Sequence, residues 1–185
     1  MSQYWVRKDD QNEELRTIKP WDECEQHGDQ QAPAPRHRIL FVCLGNICRS
    51  PMAEFIMKHL VQQAGRSHEF VIESAATSRE EEGNPVYPPA RRKLAENGIG
   101  CEGKVARQLT REDYGRYDLL IGMDRSNLCN MERICGGDPE GKMRLLLDYT
   151  ERQPGTEVAD PWYTGNFDAT WRDCMEGCKA LLATL

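Results

Sequence analysis
The apolar positions of this chain follow two rhythms. Short unbroken runs at Ile39 to Val42, Phe70 to Ser74, Leu119 to Met123 and Met143 to Leu147 read as buried strands. Elsewhere the apolar residues stand three and four apart. One such set is Met52, Phe55, Ile56 and Leu60, and a second is Leu128, Met131 and Cys135. The last runs from Trp171 through Cys174, Met175, Cys178, Leu181 and Leu182 to Leu185. That spacing predicts helices, each with one buried stripe. A shorter helix over residues 89–97 ends at Gly98, a residue suited to the left-handed turn after a helix. Lys104 to Leu109 reads as extended, and Thr110 to Asp113 as a capping-box start for a brief helical turn. Strand and helix alternate four times. The pattern predicts an α/β fold: a single three-layer domain, with a four-stranded parallel sheet and helices on both faces. Ligands of such sheets bind at the carboxyl ends of the strands.

The connection after the first strand carries the chemistry. Ser50 suits an N-cap and Pro51 the first helical position, so Cys43 to Arg49 must form a tight strand-to-helix loop. Amides converging at a helix N-terminus make an anion site of about a phosphate's size. The same amides favour a thiolate at Cys43. Arg49 offers a planar fork for two oxygens of one phosphate. Ser50 can donate to the sulfur of Cys43. Gly45 lets the backbone approach a ligand, and Asn46 tolerates a left-handed conformation.

Composition narrows the setting. The chain has 185 residues and a formal net charge of -6, which argues against general nucleic-acid binding. No apolar run is long enough to span a membrane, and the acidic start reads as neither a secretory signal nor a transit peptide. Eight cysteines in a chain this rich in helix patterns read as reduced thiols of a cytoplasmic protein. Residues 1–36 lack either period and are expected to be a disordered or loosely held extension, with residues 37–185 as the domain. Cys24, Trp5 and Trp21 lie in that extension, with no role assigned. Cys174 and Cys178 have a metal-like spacing but no third ligand nearby, so they read as core.

The string Cys43-Leu44-Gly45-Asn46-Ile47-Cys48-Arg49-Ser50, set between a strand and a helix, resembles the phosphate loop of the low-molecular-weight protein tyrosine phosphatase family. Asp160-Pro161-Trp162-Tyr163 matches that family's second signature at the expected late position. The resemblance implies hydrolysis of phosphotyrosine in proteins through a phosphocysteine. Cys43 would be the nucleophile. Arg49 would bind phosphate together with Leu44, Gly45, Asn46, Ile47, Cys48 and Ser50. Asp160 would act as general acid and then base, because a phenolate leaving bare is costly. Trp162 and Tyr163 would flank the substrate ring, and Gly83 to Pro89, with Tyr87 as an aromatic face, would form the other wall. Asp124 is expected to brace the loop next to Asn46. Where the family often has a His before an Ala-Arg-Gln stretch, this chain has Lys104, which alters one supporting hydrogen bond. Cys48 is expected to protect an oxidised Cys43 as a disulfide. No metal or cofactor is expected, since Arg49 and the amides supply the positive field. A monomer is expected.

Four rival readings remain open at this stage. Some relatives cleave phosphoarginine and carry Thr at the place of Ile47; the branched apolar Ile47 favours an aryl phosphoester instead. An arsenate reductase of this fold needs two further cysteines, for which Cys129 and Cys135 are the conceivable pair. A phosphocysteine carrier has a similar loop but needs no acid, so Asp160-Pro161 tells against it. A phosphopeptide-binding protein without catalysis has no use for Cys43, Arg49 and Asp160 together.

Overall fold
A computed structural model describes residues 34–185. The expectations placed on residues 1–33 lie outside the described residues. Four strands, β1 (His37–Cys43), β2 (Phe70–Ala76), β3 (Leu119–Gly122) and β4 (Met143–Leu145), form one parallel sheet in the order β2-β1-β3-β4. The helices are α1 (Arg49–Gln63), α2 (Pro88–Glu96), α3 (Asp113–Arg116), α4 (Arg125–Cys135), α5 (Pro161–Thr164) and α6 (Phe167–Ala183). The predicted architecture is the observed one.

Strand β1 shows why the fold needs both helical layers. Its side chains alternate between faces, and both faces are dry. Ile39 and Phe41 join Met52, Ile56 and Met57 of α1, Leu94 of α2, and Cys174, Cys178 and Leu181 of α6 in one core. Leu40 and Val42 join Leu120, Leu109 and Tyr117, and Met131 and Cys135 of α4, in the other. Burying each such side chain contributes about 1.5–3 kcal/mol, which fixes the strand's position and register. The centre of the sheet is thereby the most rigid place on which to mount a loop.

Several element boundaries differ from the sequence reading by a residue or two, and two of the differences have a physical reason. The run Met143 to Leu147 is a strand only to Leu145, and Leu146–Tyr149 turns into a 3-10 helix. Burial caused the misreading: Leu146 and Leu147 are fully buried, as a strand's would be. They are buried because Leu146 seats on Gly177 of α6, where a Cβ would lie 2.5 Å from Leu146 Cγ. Helix α1 starts at Arg49, with Cys48 in the cap position and no side-chain cap bond. Ser50 therefore lies inside the helix, for a reason that belongs to the site. Among the described residues no helix is long and apolar enough to cross a membrane.

Candidate active site
The loop from Leu44 to Cys48 bridges the carboxyl end of β1 and the start of α1. Asn46 has φ of +56°, the only positive φ outside glycine among the described residues. This left-handed residue turns the chain back on itself, so that its N–H reaches Cys43 Sγ at 3.3 Å. Gly45 packs closely under Glu81: a Cβ there would lie 3.1 Å from Glu81 Cγ. The sulfur of Cys43 also meets Ser50 Oγ at 3.0 Å. That contact explains why Ser50 caps nothing; its hydroxyl turns to the sulfur.

The direction of the Ser50 hydrogen bond follows from its neighbours. The Arg107 N–H meets the Asn46 side chain at 3.2 Å and can only donate, so the atom it meets is Oδ1. The Asn46 amide nitrogen is then free to donate twice, to Ser74 Oγ at 2.7 Å and to Ser50 Oγ at 2.9 Å. Ser74 passes its own hydrogen to Glu54 Oε2 at 2.5 Å. Having accepted from Asn46, Ser50 can give its hydrogen to Cys43 Sγ at 3.0 Å, the nearer of its two acceptors; the other is the Ala75 carbonyl at 3.4 Å. The chain of bonds aims a donor at the sulfur.

Its far end is ionic. Glu54 is 3% exposed, yet two ammonium groups hold it: Lys58 at 2.5 Å and Lys104 at 3.0 Å. A carboxylate this deep costs several kcal/mol unless it is paired. Lys104 also donates to the Ser74 carbonyl at 3.1 Å. The lysine in the family's histidine position therefore keeps a supporting role. Sequence reasoning missed Glu54 and Ser74. Glu54 stands four residues before Lys58 on α1; the signal that could have found it is that it shares the face that carries Met57 and Val61.

Arg49 gathers the acids. Its Nη1 lies 2.6 Å from Asp124 Oδ2 and its Nη2 lies 2.6 Å from Asp160 Oδ2. Burial alone would lower the pKa of this guanidinium; the charges of Cys43, Asp160 and Asp124 outweigh that and raise it. Asp124 caps α4 through Asn127 N at 2.6 Å. It meets the loop at Arg49, where a carboxylate just after β3 faces the cation. Asp160 caps α5 and takes the Trp162 N–H on its other oxygen at 3.0 Å. The segment before it is tied to the residue that follows β3 through Val158 N and Met123 O at 2.9 Å. It is tied to α6 through Ala159 N and Asp173 at 3.0 Å, and through Ala159 O and the Thr170 hydroxyl at 2.8 Å. Sequence reasoning also missed Thr170 and Asp173, polar residues on the buried stripe of α6.

These parts surround one cavity of about 250 Å³. Cys43, Leu44, Gly45, Ile47, Cys48 and Arg49 form its floor, and Asp160, Trp162 and Tyr163 form one side. Asn46, Ser50 and Asp124 lie outside the lining and support it from behind. The opposite wall is Glu80 and Glu81, not Gly83 to Pro89. Thr77 N and Ser78 N bond to the carbonyls of Cys43 and Leu44 at 2.9 Å each and fold the start of this loop onto the floor. Its later part pairs Pro85 with Val105 and returns to the Cys43 loop through Tyr87 N and Ile47 O at 2.9 Å, outside the cavity lining. Tyr87 lies behind Trp162, with ring centroids 5.6 Å apart, and supports it without lining the cavity.

The remaining cysteines separate clearly. Burial, followed by the charges of Cys43 and Asp160, pushes the Cys48 thiol up to about 12. Cys174 and Cys178 are fully buried and face the carbonyls of Arg49 and Ala53. They fill the contact between α6 and α1. Cys135 is buried in the second core, and Cys129 is exposed on the same helix. Neither reaches the cavity.

Comparison with known proteins covers the same ground. The family model described as low molecular weight phosphotyrosine protein phosphatase matches residues 38–185. The low molecular weight protein-tyrosine-phosphatase YfkJ of Bacillus subtilis is 37% identical over 147 residues, 80% of this chain and 94% of the relative. The rat low molecular weight phosphotyrosine protein phosphatase is 38% identical over 147 residues, 78% of this chain and 92% of its own. The crystal structure of YfkJ superposes with a TM-score of 0.78, at 36% identity, over 82% of this chain and 96% of that one. That of a drosophila arginine phosphatase gives 0.72 at 29% identity, over 79% and 96%. The matched span takes in the sheet, the Cys43 loop and the Asp160 segment alike, and the chain belongs to the low molecular weight phosphotyrosine protein phosphatase family.

Proposed function
We propose that this chain hydrolyses phosphotyrosine in proteins through a phosphocysteine intermediate. One observation carries the reading: Asp160, far from Cys43 in sequence, sits on the same guanidinium that closes the Cys43 loop. In the first step the Cys43 thiolate attacks phosphorus in line. The bond to the phenolic oxygen breaks, and that oxygen takes its electron pair and a proton from Asp160. Arg49 and the loop amides hold the charge on the other three oxygens. In the second step Asp160 takes a proton from water. The water oxygen attacks phosphorus, and the S–P electron pair returns to Cys43. The Ser50 hydroxyl stabilises the departing sulfur. A phosphate on Arg49 Nη2 displaces Asp160 from that nitrogen and frees it to face the leaving oxygen. Trp162 gives the ring a flat wall, braced by Tyr87.

Ile47, apolar and in the floor, supports an aryl ester over phosphoarginine. The position of Cys129 and Cys135 on α4, away from the cavity, weighs against the arsenate reductase reading. Cys48, lining the floor beside Cys43, supports the protective disulfide by its position: a sulfenic acid on Cys43 would condense with it and release water.

The test is hydrolysis of an aryl phosphate in the presence of a chelator. Activity is expected to vanish in Cys43→Ser. In Asp160→Ala it should fall by about 10²–10³-fold, and that variant should hold phosphotyrosine proteins from an extract. Full activity in Cys43→Ser would end the proposal.

A further inference from the structure
We propose that the wall made by Glu80 and Glu81 selects phosphotyrosines flanked by lysine or arginine. This rests on the reading of the cavity as a phosphotyrosine site. The walls differ in chemistry: Trp162 and Tyr163 offer ring surface, while Glu80 and Glu81 offer two carboxylates. Among the described residues Arg49 is the only cation in the lining, and it is already shared by Asp124 and Asp160.

The acidic wall is a built feature of the cleft. Thr77 N and Ser78 N fasten its base to the carbonyls of Cys43 and Leu44. Asn84 N bonds to Glu81 O at 2.9 Å, and Asn84 Nδ2 holds Glu81 Oε2 at 2.7 Å. Glu80 N is held by Ser78 Oγ at 3.2 Å. Glu81 Cγ rests on Gly45, directly over the loop backbone. Its field reaches the floor: after burial, Cys43, Asp160 and Arg49, Glu81 also acts on the Cys48 thiol. The nearest cation along this loop, Arg79, is exposed, pairs outward with Glu82 at 3.5 Å and does not line the cavity.

A phosphate dianion entering this cleft passes two carboxylates before it reaches Arg49. Charge of the same sign slows encounter and weakens binding. A lysine or arginine beside the phosphotyrosine removes that penalty by pairing with Glu80 or Glu81, while the ring lies against Trp162. An acidic residue in the same place adds to it. Each exposed pair is expected to change kcat/KM about two- to five-fold at low salt.

The experiment measures kcat/KM for two phosphotyrosine peptides that differ only in their flanks, lysine and arginine in one, glutamate and aspartate in the other. At about 20 mM salt the basic peptide should lead by about five-fold or more, and the lead should shrink sharply at about 500 mM. Glu80→Lys, an exposed position, should reverse the order; Glu80→Gln with Glu81→Gln should bring the ratio near one. The ratio is the readout, so any uniform change in activity cancels. A wild-type ratio within about two-fold of one, or a ratio that Glu80→Lys leaves unchanged, overturns the proposal. If only matched phosphoarginine peptides are cleaved, the phosphotyrosine reading fails, and the same ratio measured on those peptides decides the wall separately.

Discussion
The loop around Cys43 and the segment around Asp160 meet at one guanidinium but are held by opposite means. Around Cys43 nothing is loose. Asn46 and Ser50 are fully buried, and a line of hydrogen bonds runs from the sulfur to a carboxylate clamped by two lysines. Around Asp160 the chain is a four-residue helix whose two aromatics face solvent, Trp162 59% and Tyr163 82% exposed. The contrast matches the two tasks. Stabilising charge on a phosphoryl group needs donors already in place, since reorganising them during reaction costs energy. Delivering a proton to one oxygen and then taking one from water needs a group that can shift, and segments with few buried contacts shift most cheaply.

The comparison predicts that damage to the loop costs stability and activity together, whereas damage to the segment costs activity alone. The largest effect expected is Arg49→Lys. A point charge cannot serve Asp124, Asp160 and two phosphate oxygens, so kcat/KM should fall about 10³-fold or more, and the melting temperature with it. Asp160→Asn comes next, with about 10²-fold lower kcat on an aryl phosphate and an unchanged melting temperature by calorimetry. A large loss of stability there would show the segment to be structural. Lys104→Met should cost about 1–3 kcal/mol in urea unfolding, because Glu54 keeps only Lys58, and should slow turnover several-fold as the aim of Ser50 loosens. Equal stability with normal turnover would disconnect the lysine from the sulfur. The smallest expectation concerns Cys48: at pH ~8 its alkylation, followed by mass spectrometry, should lag far behind that of the exposed Cys129, because burial pushes the Cys48 thiol up and shields it.

What could be read in advance was whatever the chain writes contiguously. The strand, the Cys43 loop and the start of α1 are one string, and Asp124 announced itself as a helix cap. Asp160 was found through the Asp-Pro-aromatic string it sits in. The supports were harder because they are assembled across elements. Glu54, Ser74 and Lys104 come from a helix, a strand and a loop, and each alone resembles a surface residue. Glu80 and Glu81 were passed over for the Pro-rich stretch after them, since a local string does not say which part of a loop folds inward. Two backbone bonds to Cys43 and Leu44 hold the start of the segment over the floor.

Those two bonds have a consequence of their own. The hairpin that frames entry to the cleft hangs from main-chain atoms of the very loop that does the chemistry, so its attachment is indifferent to which side chains occupy 79 to 82. Substitution there can redraw the guest list while the main-chain hinge on the reactive loop persists, giving a lineage or an engineer a dial for taste.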